Sequence, residues 1–142
     1  MIIIKDNMMF NKKSLKEYLN KLNLDKEDFI IVAGGSLLLQ NIKETTEDID
    51  LYVNKKCFDK LTKLFEVKLS GKPYENHYII TDKLEVVLKN EFSKISYILI
   101  DDFKCSSLDF EYNWMKQQNR IKDRKTIKKL EKYFIIKNTE KT

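Results

Sequence analysis

The sequence predicts a single α/β (α+β) domain, a mixed β-sheet of four or five strands covered by helices at the N-terminus, within the core and at the C-terminus. Three observations carry this. Residues 29 to 33, Phe-Ile-Ile-Val-Ala, are an apolar, mostly β-branched run that stops at Gly34 and Gly35; an apolar segment opens at Ser36, so the stretch reads as strand, tight turn, helix. Residues 48 to 53, Asp-Ile-Asp-Leu-Tyr-Val, alternate strictly, as a strand with one buried face does. Segments with apolar residues at helical spacing precede, separate and follow these strands.

The elements follow in order. Residues 1 to 10 are compatible with a short strand or a loosely packed segment. Leu15, Tyr18, Leu19 and Leu22 predict a helix over residues 11–23, with Lys12, Lys13, Lys16 and Lys21 largely on its solvated side. The core spans 29–103. Within it, Phe58, Leu61, Leu64 and Phe65 predict a helix over 55–66, and Gly71-Lys72-Pro73 make the clearest break. Strands are expected at 78–81 and 84–89 around an Asp82-Lys83 turn, and Ile95–Ile100 reads as the most continuous apolar strand of the second half. The C-terminal helical region, 107–136, divides into helices over 108–119 and 126–136, the latter carrying Ile127, Leu130, Phe134 and Ile135. The polar tail after Lys137 is expected to fray.

At 142 residues the chain suffices for one domain, 1–142, and 42% apolar with 35% charged residues is an ordered globular composition. No apolar run approaches the roughly 20 residues that span a bilayer, and Met1-Ile-Ile-Ile4 is too short for a signal-peptide core. Cys57 and Cys105 match no metal or redox spacing; with no secretory leader they point to a reducing, cytoplasmic setting. The net charge is +5 and the pI about 9.0. Arg120 and Arg124 are the only arginines, and lysines supply the rest of the 27 basic residues, which fits a solvated surface better than a phosphate reader.

The chemistry lies in residues 34 to 50. Period two puts Asp48 and Asp50 on one face of their strand, where two carboxylates repel and call for compensation. A divalent metal, Mg²⁺ or Mn²⁺, supplies it economically, since Mg²⁺ is held by one or two carboxylates plus substrate phosphates. The Gly34-Gly35-Ser36 turn lets backbone approach a phosphate and exposes N–H groups at a helix start.

A Gly-Gly-Ser turn, eleven residues, then Asp-Ile-Asp in a hydrophobic strand resembles the nucleotidyltransferase superfamily of the DNA polymerase beta type, and particularly its small stand-alone bacterial and viral members. The resemblance covers residues 29–53 well and the C-terminus more weakly. It implies a nucleotidyltransferase-like sheet and transfer of a nucleoside monophosphate from an NTP to an acceptor hydroxyl, with release of pyrophosphate. Asp48 and Asp50 would be catalytic metal ligands, and Gly34, Gly35 and Ser36 would hold the β- and γ-phosphates. A two-metal site takes a third carboxylate: Glu85 is the choice, with Asp101 as alternative, and Glu85 also reads as an edge-strand charge that deters aggregation. Arg120-Ile121-Lys122-Asp123, then Ile127 and Leu130, is similar to a pattern of stand-alone members that include toxins with an antitoxin-like partner. It implies nucleotide binding by Lys116, Arg120 and Lys122, with Asp123 as N-cap of the last helix; the plain alternative is a capped helix with solvent-facing cations. The acceptor could be an RNA end such as that of tRNA, a protein or a small molecule. The rival class is a non-catalytic nucleic-acid-binding module on a decayed nucleotidyltransferase fold. His77 reads as a surface or hydrogen-bonded residue, and Phe110, Tyr112 and Trp114 as core packing before base stacking.

Overall fold

The computed structural model describes residues 9–72 and 75–140. Residues 1 to 8 of the strand or loose segment expected over 1 to 10, Pro73 of the central break and the end of the polar tail lie outside them, and Phe10 makes an isolated bridge to Thr46. In chain order the elements are α1 (Lys12–Leu22), β1 (Phe29–Val32), α2 (Ala33–Leu39), β2 (Ile49–Val53), α3 (Lys55–Leu64), β3 (Lys68–Leu69), β4 (His77–Thr81), β5 (Leu84–Leu88), β6 (Tyr97–Ile100), β7 (Phe103–Ser106), α4 (Leu108–Gln118) and α5 (Arg124–Glu140), with 3₁₀ turns at Lys26–Asp28 and Ile121–Asp123.

The class is mixed α/β, as expected. The sheet, however, has seven strands rather than four or five, in the order β3-β4-β5-β2-β1-β7-β6. One addition is the two-residue, exposed β3 beside β4. The other, β7, reverses an expectation. The apolar run 95–100 forms only the short edge strand β6, with Tyr97, Ile98 and Leu99 exposed. Asp101 and Asp102, both left-handed (φ 49° and 68°), then turn the chain back, a conformation that Asp tolerates better than most residues. The returning β7 is buried and pairs parallel with β1, Ile31 opposite Cys105. Phe103 and Cys105 enter the core, while Lys104 stays over the Tyr97 ring.

The sheet's first face is apolar. Phe29 and Ile31 of β1, Ile49, Leu51 and Val53 of β2, and Leu84 and Val86 of β5 pack with Leu15 and Leu19 of α1 and Cys57 and Leu61 of α3. The burial of these side chains drives folding at roughly 25 cal/mol per Å² of apolar surface removed from water. Ile30 and Val32 point to the second face, beside Tyr52, Phe92, Ile95 and Phe110. The C-terminal pair α4–α5 packs through Leu108, Met115 and Leu130 onto Leu37 and Ile42. Alternation along β2 and β5 then puts Asp50 and Glu85 on the second face, opposite the main core. Cys57 and Cys105 are buried free thiols. Among the described residues, no helix is long and apolar enough to cross a membrane.

Candidate metal and phosphate site

The site begins with strand register. Antiparallel β1–β2 pairing sets Val32 opposite Asp50, and parallel β2–β5 pairing sets Asp50 opposite Glu85. The β4–β5 hairpin, turning at Asp82-Lys83, adds His77, whose Nε2 lies 3.9 Å from Glu85 Oε1. One donor atom each from Asp50, His77 and Glu85 falls within 4.8 Å of the others. Asp48 comes from the loop just before β2. These residues line a cavity of about 530 Å³, and its wall also includes Gly34, Glu111, Trp114, Arg120, Lys122 and Asp123.

Carboxylates crowd this cavity. Burial, then the neighbouring Asp48 and Glu85, push the Asp50 carboxyl up to about 7; Asp48 is raised by burial and by Glu85. Glu85 is paired with Lys72, whose Nζ is 2.9 Å from Glu85 Oε1. Two carboxylates and an imidazole, Asp50, Glu85 and His77, are a donor set that could hold a divalent ion, while Asp48 lines the same cavity outside that group of donor atoms.

Of the two candidates for third acid, the geometry gathers Glu85 and leaves out Asp101, which sits in the β6–β7 turn and pairs with Lys16. Arg120 and Lys122 reach the cavity wall. Arg120 Nε donates to Asp123 Oδ2 at 2.7 Å, and its guanidinium lies 4.7 Å from the Trp114 ring centroid. Asp123 thus spends its carboxylate on Arg120 while ending a 3₁₀ turn just before α5. Lys116 does not line the cavity; it lies beside Tyr112 on α4. Lys116→Ala is accordingly expected to leave nucleotide affinity within about twofold of wild type, measured by equilibrium dialysis, because an exposed lysine outside a site contributes little.

The Gly-Gly-Ser segment, expected as a tight turn before a helix, is itself helical. All three residues lie inside the seven-residue α2. A Cβ on Gly34 would collide with Thr46 Oγ1, and Thr46 in turn donates to the carbonyl of Asp48 at 3.1 Å. Gly34 is small so that the loop carrying Asp48 can approach. Gly34→Ala is expected to cost roughly 1–3 kcal/mol in urea unfolding, the range for overpacking. A Cβ on Gly35 would stand 2.9 Å from Ile31 Cγ2, a core contact. Ser36 is fully buried, and its hydroxyl donates to the Ser106 carbonyl at 2.6 Å, tying α2 to β7. Neither Gly35 nor Ser36 lines the cavity.

Glu111 is the residue that sequence reasoning missed. It is 3% exposed on α4 and accepts from Ser106 Oγ at 2.7 Å, and burial raises its carboxyl. Ala33 is left-handed (φ 55°), an uncommon state for a residue with a Cβ. Glu111 also lines the cavity. Its trace in the sequence is its spacing: Leu108, Glu111 and Met115 share the buried stripe of α4. His77 was also undervalued; extending the predicted strand back by one residue puts it on the face of Ile79. The aromatics divide, Tyr112 packing edge-on against Phe134 and Phe110 against Tyr52, while Trp114 joins the cavity wall.

No protein-family model matches this chain, and neither curated proteins nor solved structures match it at a significant level.

Proposed function

We propose that this protein is a metal-dependent nucleotidyltransferase that moves a nucleoside monophosphate from an NTP to an acceptor hydroxyl and releases pyrophosphate. The observation that carries the reading is the convergence of Asp48, Asp50 and Glu85 on one cavity that Arg120 and Lys122 also line. Carboxylates on neighbouring strands of a rigid sheet hold their spacing without reorganisation, which phosphoryl transfer needs for positioning and charge stabilisation. In this scheme Asp48, Asp50 and Glu85 hold the metal, and Arg120 and Lys122 bind phosphate oxygens, Arg120 being oriented by Asp123 and Trp114. When bound, the metal supplies positive charge to the phosphate oxygens and eases loss of the acceptor's proton. The finer fold assignment, a nucleotidyltransferase-like domain, belongs to the same proposal, as does a cytoplasmic location. Among RNA ends, proteins and small hydroxyl compounds, the net charge of +5 supports RNA as acceptor. An antitoxin-like protein partner would suit the same chemistry.

The test incubates α-phosphate-labelled NTPs, one base at a time, with Mg²⁺ or Mn²⁺ and cell extract. Label is expected in an RNA or protein fraction with wild type and absent with an Asp48→Asn, Asp50→Asn double variant; equal labelling by both would refute the assignment.

A second reading has one observation behind it. Ser36, expected to hold phosphate, is buried and donates its hydroxyl to the Ser106 carbonyl. That favours a non-catalytic nucleic-acid-binding module. The two readings separate in thermal melts: the enzyme should be stabilised by metal and NTP together, the module by RNA without metal.

A further inference from the structure

His77 stands in the cavity where the nucleotidyltransferase pattern asks only for carboxylates. We propose that Asp50, His77 and Glu85 form a site of one imidazole and two carboxylates that selects a transition-metal dication, Mn²⁺ before Mg²⁺, with Lys72 as the competing cation that holds Glu85 in the metal-free protein. The inference rests on the metal-dependent reading above and specifies its ion.

Geometry comes first. His77 Nε2 and Glu85 Oε1 are 3.9 Å apart, and all three donor atoms fall within 4.8 Å of one another. One ion with bonds of about 2.1 Å spans donors up to about 4.2 Å apart, so small side-chain rotations close the set. Orientation is built in. His77 Nδ1 is 2.6 Å from Ser70 Oγ, and the Ser70 backbone N–H donates to the His77 carbonyl, fixing the imidazole from behind. With the proton assigned to Nδ1 and accepted by Ser70, Nε2 is the nitrogen that faces Glu85, the arrangement in which a metal-bound histidine is held by its other ring nitrogen. At 7% exposure the ring cannot swing away into water without opening the β3–β4 edge.

Selectivity follows from the donors. Mg²⁺ keeps its waters and prefers oxygen, whereas an imidazole adds affinity for first-row transition metals. Lys72 has the opposite character: it contacts Glu85 at 2.9 Å, yet its side chain is 49% exposed, so it can leave for solvent when a metal takes the carboxylate.

The experiment titrates Mn²⁺ into the metal-free full chain, following free Mn²⁺ by EPR, with Mg²⁺ as competitor; electron spin-echo modulation then reports nitrogen bound to the ion. Wild type is expected to prefer Mn²⁺ over Mg²⁺ by about tenfold or more, with ¹⁴N modulation from one imidazole. His77→Gln, which keeps a polar partner for Ser70, should lose the modulation and about tenfold in Mn²⁺ affinity while Mg²⁺ affinity stays put. Lys72→Met should tighten Mn²⁺ binding severalfold. Bound Mn²⁺ without nitrogen modulation in wild type overturns the proposal even if His77→Gln does not fold. An unchanged Mn²⁺ to Mg²⁺ ratio in a folded His77→Gln protein overturns it as well. Nucleotide transfer is scored separately: transfer with no nitrogen coupling defeats the inference and spares the transferase reading, and nitrogen coupling with no transfer does the reverse.

Discussion

Asp50→Asn is expected to abolish nucleotide transfer and, in metal-free buffer at pH 8, to raise the stability of the fold by about 1–3 kcal/mol, a figure discounted for solvent screening. The sign follows from linkage. In the folded protein the Asp50 carboxyl is pushed up to about 7 from 3.8, chiefly by burial. Below about pH 4 both folded and unfolded chains hold this proton, and the group has no effect on stability. Between about 4 and 7 the unfolded chain releases the proton while the folded one retains it, so stability falls as pH rises, and it stays low above 7. Asparagine removes that slope. Thermal melts of the two proteins from pH 4 to 8 should therefore diverge toward the alkaline end, and adding Mn²⁺ should restore the wild type alone. A variant that melts lower than wild type at pH 8 without metal would show that the Asp50 carboxylate is already neutralised by the protein. Transfer surviving in the folded variant would remove Asp50 from the chemistry.

Glu111→Ala is expected to destabilise the protein by about 2–4 kcal/mol, the largest loss foreseen outside the apolar core. The substitution strips the buried Ser106 Oγ of its acceptor and leaves a cavity where the side chain packed. Glu111→Gln keeps an amide oxygen that can accept from Ser106 and sheds a buried charge, so it should stay within about 1 kcal/mol of wild type. Urea midpoints of the pair decide the matter. If alanine and glutamine behave alike, the hydrogen bond to Ser106 does not govern this corner of the fold.

The parts of the molecule that were legible are those where local pattern and tertiary context agree. Strict alternation in residues 48 to 53 predicted a strand that the structure begins at Ile49, with Asp48 in the loop just before it, and the Asp82-Lys83 turn placed Glu85 at the start of the next strand. The mistakes arise where context overrides pattern. Tyr97–Ile100 is apolar enough for an interior strand, yet the buried place beside β1 goes to Phe103-Lys104-Cys105-Ser106, whose polar residues disguise it. Gly34, Gly35 and Ser36 carry the composition of an anion-binding turn. What fixes them in the structure is long-range contact with Thr46, Leu15 and Ser106, which no local window contains. His77, read as a surface or hydrogen-bonded residue, is hydrogen-bonded to Ser70 and buried, and Glu111 is a polar residue in a buried position that a reading sending polar groups to the surface loses.

The wall of the cavity draws on residues from Met9 to Asp123. Its floor needs β2 beside β5, and its far side needs Trp114, Arg120 and Lys122 from α4 and the turn that follows. The pocket is therefore a property of the assembled fold and of no single segment: loosening α4 would open its wall while the strand pairs that carry Asp50 and Glu85 persist.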